Sequence, residues 1–185
     1  MRNKIKWLLV AFVIPMGLNA LVLADGQESS VTTMLAASST PYIPPAWYQK
    51  LSASKRFKLV LGGAAVLDKE TGLVWEKSPS TNKMDWYAAV SYAYDLNVGG
   101  RKGWRLPTIE ELDSLVDKTQ RNPALPSGHP FTNVQSNYYW SSTTVIGSTG
   151  YAWGVDLSYG DVLDYDKGNY VYVWCVRGGH GYDAY

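Results

Sequence analysis

Cysteine is almost absent from this chain, since Cys175 is the only one in 185 residues. A single thiol cannot form an internal disulfide, so the fold does not depend on a disulfide framework. Cys175 lies in the apolar run YVYVWCVRGG, and free cysteines are among the most buried residue types. We therefore predict a buried, structural thiol, with pairing between chains as the alternative.

Histidine and the common catalytic motifs are also scarce. His129 and His180 are the only histidines, and neither has a second histidine or cysteine at ligand spacing, which argues against a zinc site. No Gly-x-Ser-x-Gly nucleophile pattern occurs. The segment DYDKGN at 164–169 is rich in oxygen ligands, but it departs from an EF-hand loop, and a solvated turn is the main interpretation. We predict no catalytic residue, no metal site and no cofactor, and leave calcium open.

The chain has no excess of charge of either sign. It has 17 basic and 16 acidic residues, and the three bases of residues 1–24 are Arg2, Lys4 and Lys6. Without that segment 14 basic and 16 acidic residues remain, a formal charge of −2. Because no basic run is present, neither nucleic acid nor an anionic lipid surface is expected as a partner.

The N-terminal residues differ in composition from the rest. Three basic residues precede an apolar run that ends at Ala24, a pattern typical of a secretory signal peptide over residues 1–24. An uncleaved membrane anchor is the alternative, since the apolar stretch is just long enough to span a bilayer. Cleavage predicts a periplasmic or secreted protein without membrane association. Residues 25–56 are rich in Ser, Thr and Pro and are predicted to be a linker, and residues 57–180 the domain.

The domain pattern favours an α+β class. Two β-prone runs flank the turn at 68–72, whose terminal Gly72 suits a positive φ. A helix capped by Asp85 follows, and Thr108 with Glu111 forms a capping box for a second. The region 122–137 has no clear periodicity. Three β-like segments follow it, so two helices are expected to pack on antiparallel strands.

The segment WRLP, which begins at Trp104, is interpreted as a structural corner. Pro107 forces the residue before it into an extended conformation, which orients the entry of the helix. We expect Trp104 to fill core space and Arg105 to pair with Glu110 or Glu111 or lie against a ring. No acid, base or metal ligand adjoins this segment in a catalytic pattern.

Tyrosine and tryptophan are abundant, at 14 and 8 residues against 3 phenylalanines. Such rings suit surfaces that are partly apolar and partly hydrated, including binding faces, although a small aromatic core explains most of them. In a binding pocket, rings stack on sugars and acids accept hydroxyl hydrogen bonds. The candidate ligand-binding residues lie in the late strands: Trp153, Tyr159, Asp161, Asp164 and Tyr165.

Six motifs together resemble the Lcl C-terminal domain family over about residues 60–179. In chain order they are VLDKETGLVWEK, DWYAAVSYAYDL, GWRLPTIEELDSLVD, YYWSSTT, AWGVDLSYGDV and VWCVRGG. The resemblance implies a C-type-lectin-like fold, similar to sulfatase-modifying-factor domains, and a binding role like that of a collagen-like adhesin that binds sulfated glycosaminoglycans. It also implies a cysteine near the position of Ala93 in many members, as a partner for Cys175; here that residue is alanine.

Three functions are therefore considered. The first is an exported, non-catalytic module that binds a glycan or a protein at the cell envelope. The second is a structural or assembly protein of the envelope that acts by self-association as a homo-oligomer, with the tyrosines and tryptophans at its interface. The third, an enzyme of the sulfatase-modifying type, is disfavoured because a lone Cys175 cannot replace the paired cysteines that the resemblance implies for those enzymes.

Overall fold

The computed structural model describes residues 51–178 and two earlier segments of five residues. It divides into two units. The first contains strand β1 (Val10–Ile14), which pairs antiparallel with strand β2 (Leu18–Val22). In the described parts of the chain, no helix has the length and apolar character that crossing a bilayer requires.

These two strands lie within the predicted signal peptide. The predicted cleavage position after Ala24, and the predicted linker up to residue 50, lie outside the described residues. The packed part of the second unit extends beyond the predicted domain start at residue 57, because residues 53–56 form a helix and Arg56 at its end is fully buried.

The second unit is α+β, as predicted, with two antiparallel sheets and, between residues 51 and 178, three short α-helices. Its elements in chain order are α1 (Ala53–Arg56), β3 (Phe57–Val60), a 3₁₀ turn (Leu61–Gly63), β4 (Ala65–Asp68), β5 (Val74–Glu76), α2 (Trp86–Asp95), α3 (Ile109–Asp113), β6 (Tyr138–Val145), β7 (Ser148–Asp156), β8 (Asp161–Asp166) and β9 (Val176–Arg177).

The four-stranded sheet has the order β3-β4-β5-β9. The predicted hairpin is confirmed, because β4 and β5 pair antiparallel across a turn in which Gly72 has φ 73°. The run before it, predicted to be one strand, is two. Gly62 and Gly63 adopt positive φ values and fold β4 back onto β3. In the last apolar run, Val171 and Tyr172 form isolated bridges, and only Val176 and Arg177 form a strand.

Both predicted helix starts are confirmed. The Asp85 carboxylate accepts the Ala88 N–H at 2.8 Å at the start of α2, and Thr108 and Glu111 form the capping box of α3. Helix α3 is shorter than the helical spacing of its apolar residues suggests, which are Ile109, Leu112, Leu115 and Val116. It ends at Asp113, and the buried Leu115 follows it in a turn.

The three-stranded sheet has the order β6-β7-β8, and α2 and α3 lie on its opposite sides. On one side, Trp140 and Ala152 belong to the same buried cluster as Ala93 of α2. On the other, Val155 belongs to the cluster that contains Leu112 of α3. Because successive residues of a strand point to opposite faces, each position of β7 and β8 faces one helix or the other.

The loop between residues 122 and 137 covers the core. Ala124, Leu125 and Phe131 are buried, and the Phe131 ring meets the Trp174 ring edge to face with their centroids 4.8 Å apart. This loop therefore has a packing role that its Pro- and Gly-rich sequence does not suggest.

The close approach of β6 and β7 requires glycine at position 154. A Cβ atom there would lie 2.5 Å from the Tyr139 carbonyl oxygen. We expect Gly154→Ala to lower the free energy of unfolding by about 1–3 kcal/mol in a denaturant titration, the usual cost of overpacking. Gly150→Ala, in the same strand with no atom within 4 Å of its Cβ, is the control and should change stability by less than about 0.5 kcal/mol. Equal effects would contradict the steric explanation.

Candidate functional site

An open surface formed by β7 and β8 faces α3. Trp153 lies directly opposite Asp164 in the antiparallel register, and Tyr151 lies opposite Asp166. Val162 lies two residues before Asp164 and so shares its face. We call these five residues the front face. Trp153 is half-buried and the other four are exposed, so the two rings lie beside two carboxylates and a valine in contact with solvent.

A cavity of about 250 Å³ adjoins the front face between α3 and β8. Ile109, Glu110 and Asp113 line it from the helix, and Val162 lines it from the strand. The helix is fixed against the sheet because the Ile109 N–H donates to Thr143 Oγ1 at 2.9 Å. The cavity thus combines an apolar wall with two acidic side chains, one exposed and one half-buried.

Asp113 is the electrostatically unusual group of this cavity. Burial raises the pKa of its carboxyl above the ordinary value, and the positive charge of Lys118 only partly offsets that effect. Its Oδ1 atom is buried and has no hydrogen-bond partner among the residues that the structure describes. A buried carboxylate oxygen without a partner is costly, so a donor or cation that enters the cavity would be stabilised there.

Only two of the five predicted ligand-binding residues lie together. Trp153 and Asp164 share the front face, whereas Asp161 and Tyr165 point to the side of α2 because of the two-residue alternation. The Tyr165 ring packs against Tyr138, with their centroids 4.7 Å apart. The five residues therefore do not share one face of the sheet, and of the four in the strands only Trp153 and Asp164 lie on the front face.

The fifth predicted residue, Tyr159, lies in the turn between β7 and β8. Its ring is exposed and is stacked by the Arg121 guanidinium, 5.5 Å from the ring centroid. The Arg121 Nη1 also donates to the Tyr159 carbonyl oxygen at 2.9 Å. The Tyr159 ring thus contacts the loop after α3 and is not part of the front face.

The aspartates in and near DYDKGN likewise lie on both faces of the sheet. Asp156 pairs with Asp161 on the α2 side, while Asp164 and Asp166 are on the front face. Asp166 accepts the Gly168 N–H at 2.8 Å within a turn. Within the described residues, no three His, Cys, Asp or Glu side chains come together as ligands for a metal ion.

The WRLP segment lies where the two sheets meet. The backbone of Arg105 exchanges hydrogen bonds of 2.9 Å with Val176 of β9, and the Pro107 carbonyl accepts the Ser142 N–H from β6. The Arg105 guanidinium is bound by both oxygens of Glu111, at 2.6 and 2.8 Å, while Trp104 is buried. The segment joins the sheets and fixes the position of α3.

Cys175 is fully buried beside Glu76, a carboxyl whose pKa is also raised by burial. The Cys175 N–H donates to Glu76 Oε2 at 2.7 Å, and its thiol also hydrogen-bonds to that carboxyl. Burial and the nearby carboxylate raise the pKa of the thiol. The thiolate, which is the nucleophilic form, is therefore disfavoured at this position.

The cavity residues Ile109, Glu110, Asp113 and Val162 were not identified as a site from the sequence. The helix pattern assigns Ile109 to a core-facing stripe, and nothing in the sequence places α3 next to β8, about fifty positions away. The sequence did contain one usable signal: Asp164 and Tyr165 are neighbours in a strand and so cannot share a face.

Comparison with known proteins identifies a family match that lies within the second unit of the structure. The sequence model of the Lcl C-terminal domain family matches residues 64–177, which is more than half of the chain. Among curated proteins, none matches the chain.

Proposed function

The chain belongs to the Lcl C-terminal domain family, and we propose that it is an exported, non-catalytic binding module for a glycan or protein ligand at the cell envelope. The front face, with the cavity beside it, is its binding surface. The basic and apolar N-terminal sequence supports export to the periplasm or beyond. The fold is proposed to be C-type-lectin-like, which is supported by the pairing of β5 with β9, the last strand of the described residues.

One observation carries this proposal: rings and carboxylates of the front face lie next to each other, and Val162 of the same face lines an open cavity. Tyr151 and Trp153 supply apolar ring surface for the C–H faces of a sugar or for an apolar side chain. Asp164 and Asp166 supply acceptors for hydroxyl or amine donors. Because the surface is acidic, neutral or cationic ligands fit it better than sulfated glycans do.

We propose that the protein is non-catalytic because its thiol is buried and hard to ionise. Cys175 is the one cysteine of the chain, and it is fully buried in a setting that raises its pKa. This burial supports a structural role, whereas a catalytic thiol needs a lowered pKa and access to substrate.

Self-association is a second candidate function, and one feature of α2 favours it. Tyr87, Val90 and Tyr94 recur at helical spacing on its outer side, and Tyr94 is 81% exposed. Such a stripe suits a protein contact. Light scattering of the protein would show a mass that increases with concentration if α2 served this function, and a single monomer mass if it did not.

The binding proposal predicts a specific loss of ligand retention. On a glycan array, with and without calcium, we expect the protein to retain a neutral glycan. Tyr151→Ala should weaken that retention about fivefold or more, because a stacked ring contributes on the order of 1 kcal/mol. Tyr94→Ala, which removes an exposed ring on the opposite side of the sheet, is the matched control and should have no effect. Equal retention by both variants would contradict the assignment of the front face.

A further inference from the structure

Strand β8 has an open outer edge. It is the last strand of its sheet and pairs only with β7 among the described residues. Its six residues, DVLDYD, contain neither proline nor glycine. Among the described residues, one backbone bond reaches it from outside β7, from the Asn169 N–H to the Asp166 carbonyl oxygen at the end of the strand, so the edge at Val162 and Asp164 stays open. Every second residue of such an edge directs its N–H and C=O outward, which is a template for another strand.

The charge of this edge restricts what can pair with it. Asp161, Asp164 and Asp166 make half of β8 acidic, and all three are exposed. A second copy of β8 would place aspartates against aspartates, and like charges on paired strands are destabilising. A basic strand would gain opposite-charge pairs along the same edge.

The cavity beside β8 also favours a basic partner, because acidic side chains line it. Val162 belongs both to the edge strand and to the cavity wall, so a residue paired beside it lies next to the cavity that Glu110 and Asp113 also line. The buried Oδ1 of Asp113 has no hydrogen-bond partner in the described part of the chain. A lysine or arginine side chain is long enough to enter from the edge and to supply the donor.

On the basis of the proposed binding function, we infer that β8 accepts an extended basic peptide segment as an added strand, with a Lys or Arg side chain reaching the cavity between α3 and β8. Backbone hydrogen bonds to the open edge provide affinity, and alternate side chains provide selectivity. The partner is therefore a protein with an exposed segment in which basic residues recur at every second position.

Binding of a short labelled peptide of alternating lysine and valine tests this inference. Fluorescence anisotropy with the full-length protein at low ionic strength is expected to show saturable binding. Two further peptides carry N-methyl groups, one on the valine amides and the other on the lysine amides. Since only one set of amides faces β8, one methylated peptide should bind about tenfold more weakly, and the other nearly as well as the parent.

A charge-matched pair of variants tests the cavity contact. Glu110→Gln should weaken peptide binding about threefold, the effect of one partly exposed ion pair, while Asp95→Asn on α2 should leave it unchanged.

Equal binding of both methylated peptides would overturn strand addition, since charge attraction alone does not distinguish them. No peptide binding with a glycan still retained would overturn this inference and leave the binding function intact. Loss of both would overturn both.

Discussion

Replacing Arg56 with methionine is expected to lower the free energy of unfolding by about 3–5 kcal/mol, the cost of leaving a buried charge without its partner. Arg56 and Asp68 are both fully buried. The guanidinium donates through Nε and Nη2 to the two carboxylate oxygens of Asp68, at 2.8 and 2.6 Å. Its Nη2 also donates to the Ser114 carbonyl at 2.8 Å. Removing it leaves the Asp68 charge in a site closed to water.

Urea denaturation at neutral pH would measure this effect. Lys55→Met removes an exposed positive charge from the same helix and should change stability by less than about 0.5 kcal/mol. The double variant Arg56→Met/Asp68→Asn should be more stable than Arg56→Met alone, because the unpaired charge is absent. A loss below about 1 kcal/mol in Arg56→Met would show that the pair is not closed to water.

Stability is expected to fall as the pH rises from about 4.5 to 7, because of Glu76. Burial raises the pKa of this carboxyl from its ordinary 4.5 to about 7, against the opposing effect of the hydrogen bonds from Cys175. In this pH window the folded state holds a proton that the unfolded state has released. The contribution is therefore fully favourable below the unfolded pKa and is lost as the pH passes the folded one, a loss of about 3 kcal/mol in total.

The variant Glu76→Gln separates this contribution from those of other groups. Glutamine keeps an oxygen to accept the Cys175 N–H but carries no titrating proton. The unfolding free energy is measured at pH 4.5 and at pH 8. The decrease between these two values should be about 3 kcal/mol smaller in the variant than in the original protein. Glu110→Gln, at an exposed position, is the control and should leave the pH dependence nearly as it was. Parallel pH profiles of Glu76→Gln and the original protein would contradict a buried, protonated carboxyl.

Local signals in the sequence predicted local structure well. The caps at Asp85 and Thr108 start helices, and the turn at Gly72 forms a hairpin, because each depends on a few neighbouring residues. Element lengths were less predictable. The apolar pattern after Asp113 continues although the helix ends, because Leu115 is buried by tertiary packing in a turn instead.

The candidate site was only partly predictable for a related reason. Residue type identifies Trp153 and Asp164 as candidates. Which residues lie beside them depends on the pairing and register of the strands and on the elements packed against the sheet. Alternation along β8 could have removed Tyr165 in advance. The cavity could not have been found this way, since Glu110 and Val162 are brought together only by packing of α3 on the sheet.

Because the single thiol is buried, its reactivity reports local unfolding of the surrounding core. Because Cys175 is closed to solvent in the folded state, an alkylating reagent reacts with it only in molecules that have at least locally unfolded. The labelling rate at a saturating reagent concentration is then the rate of that opening, read at one known position without any engineered probe. Covalent dimers linked through this residue likewise arise only from opened chains, so their appearance during storage records past unfolding.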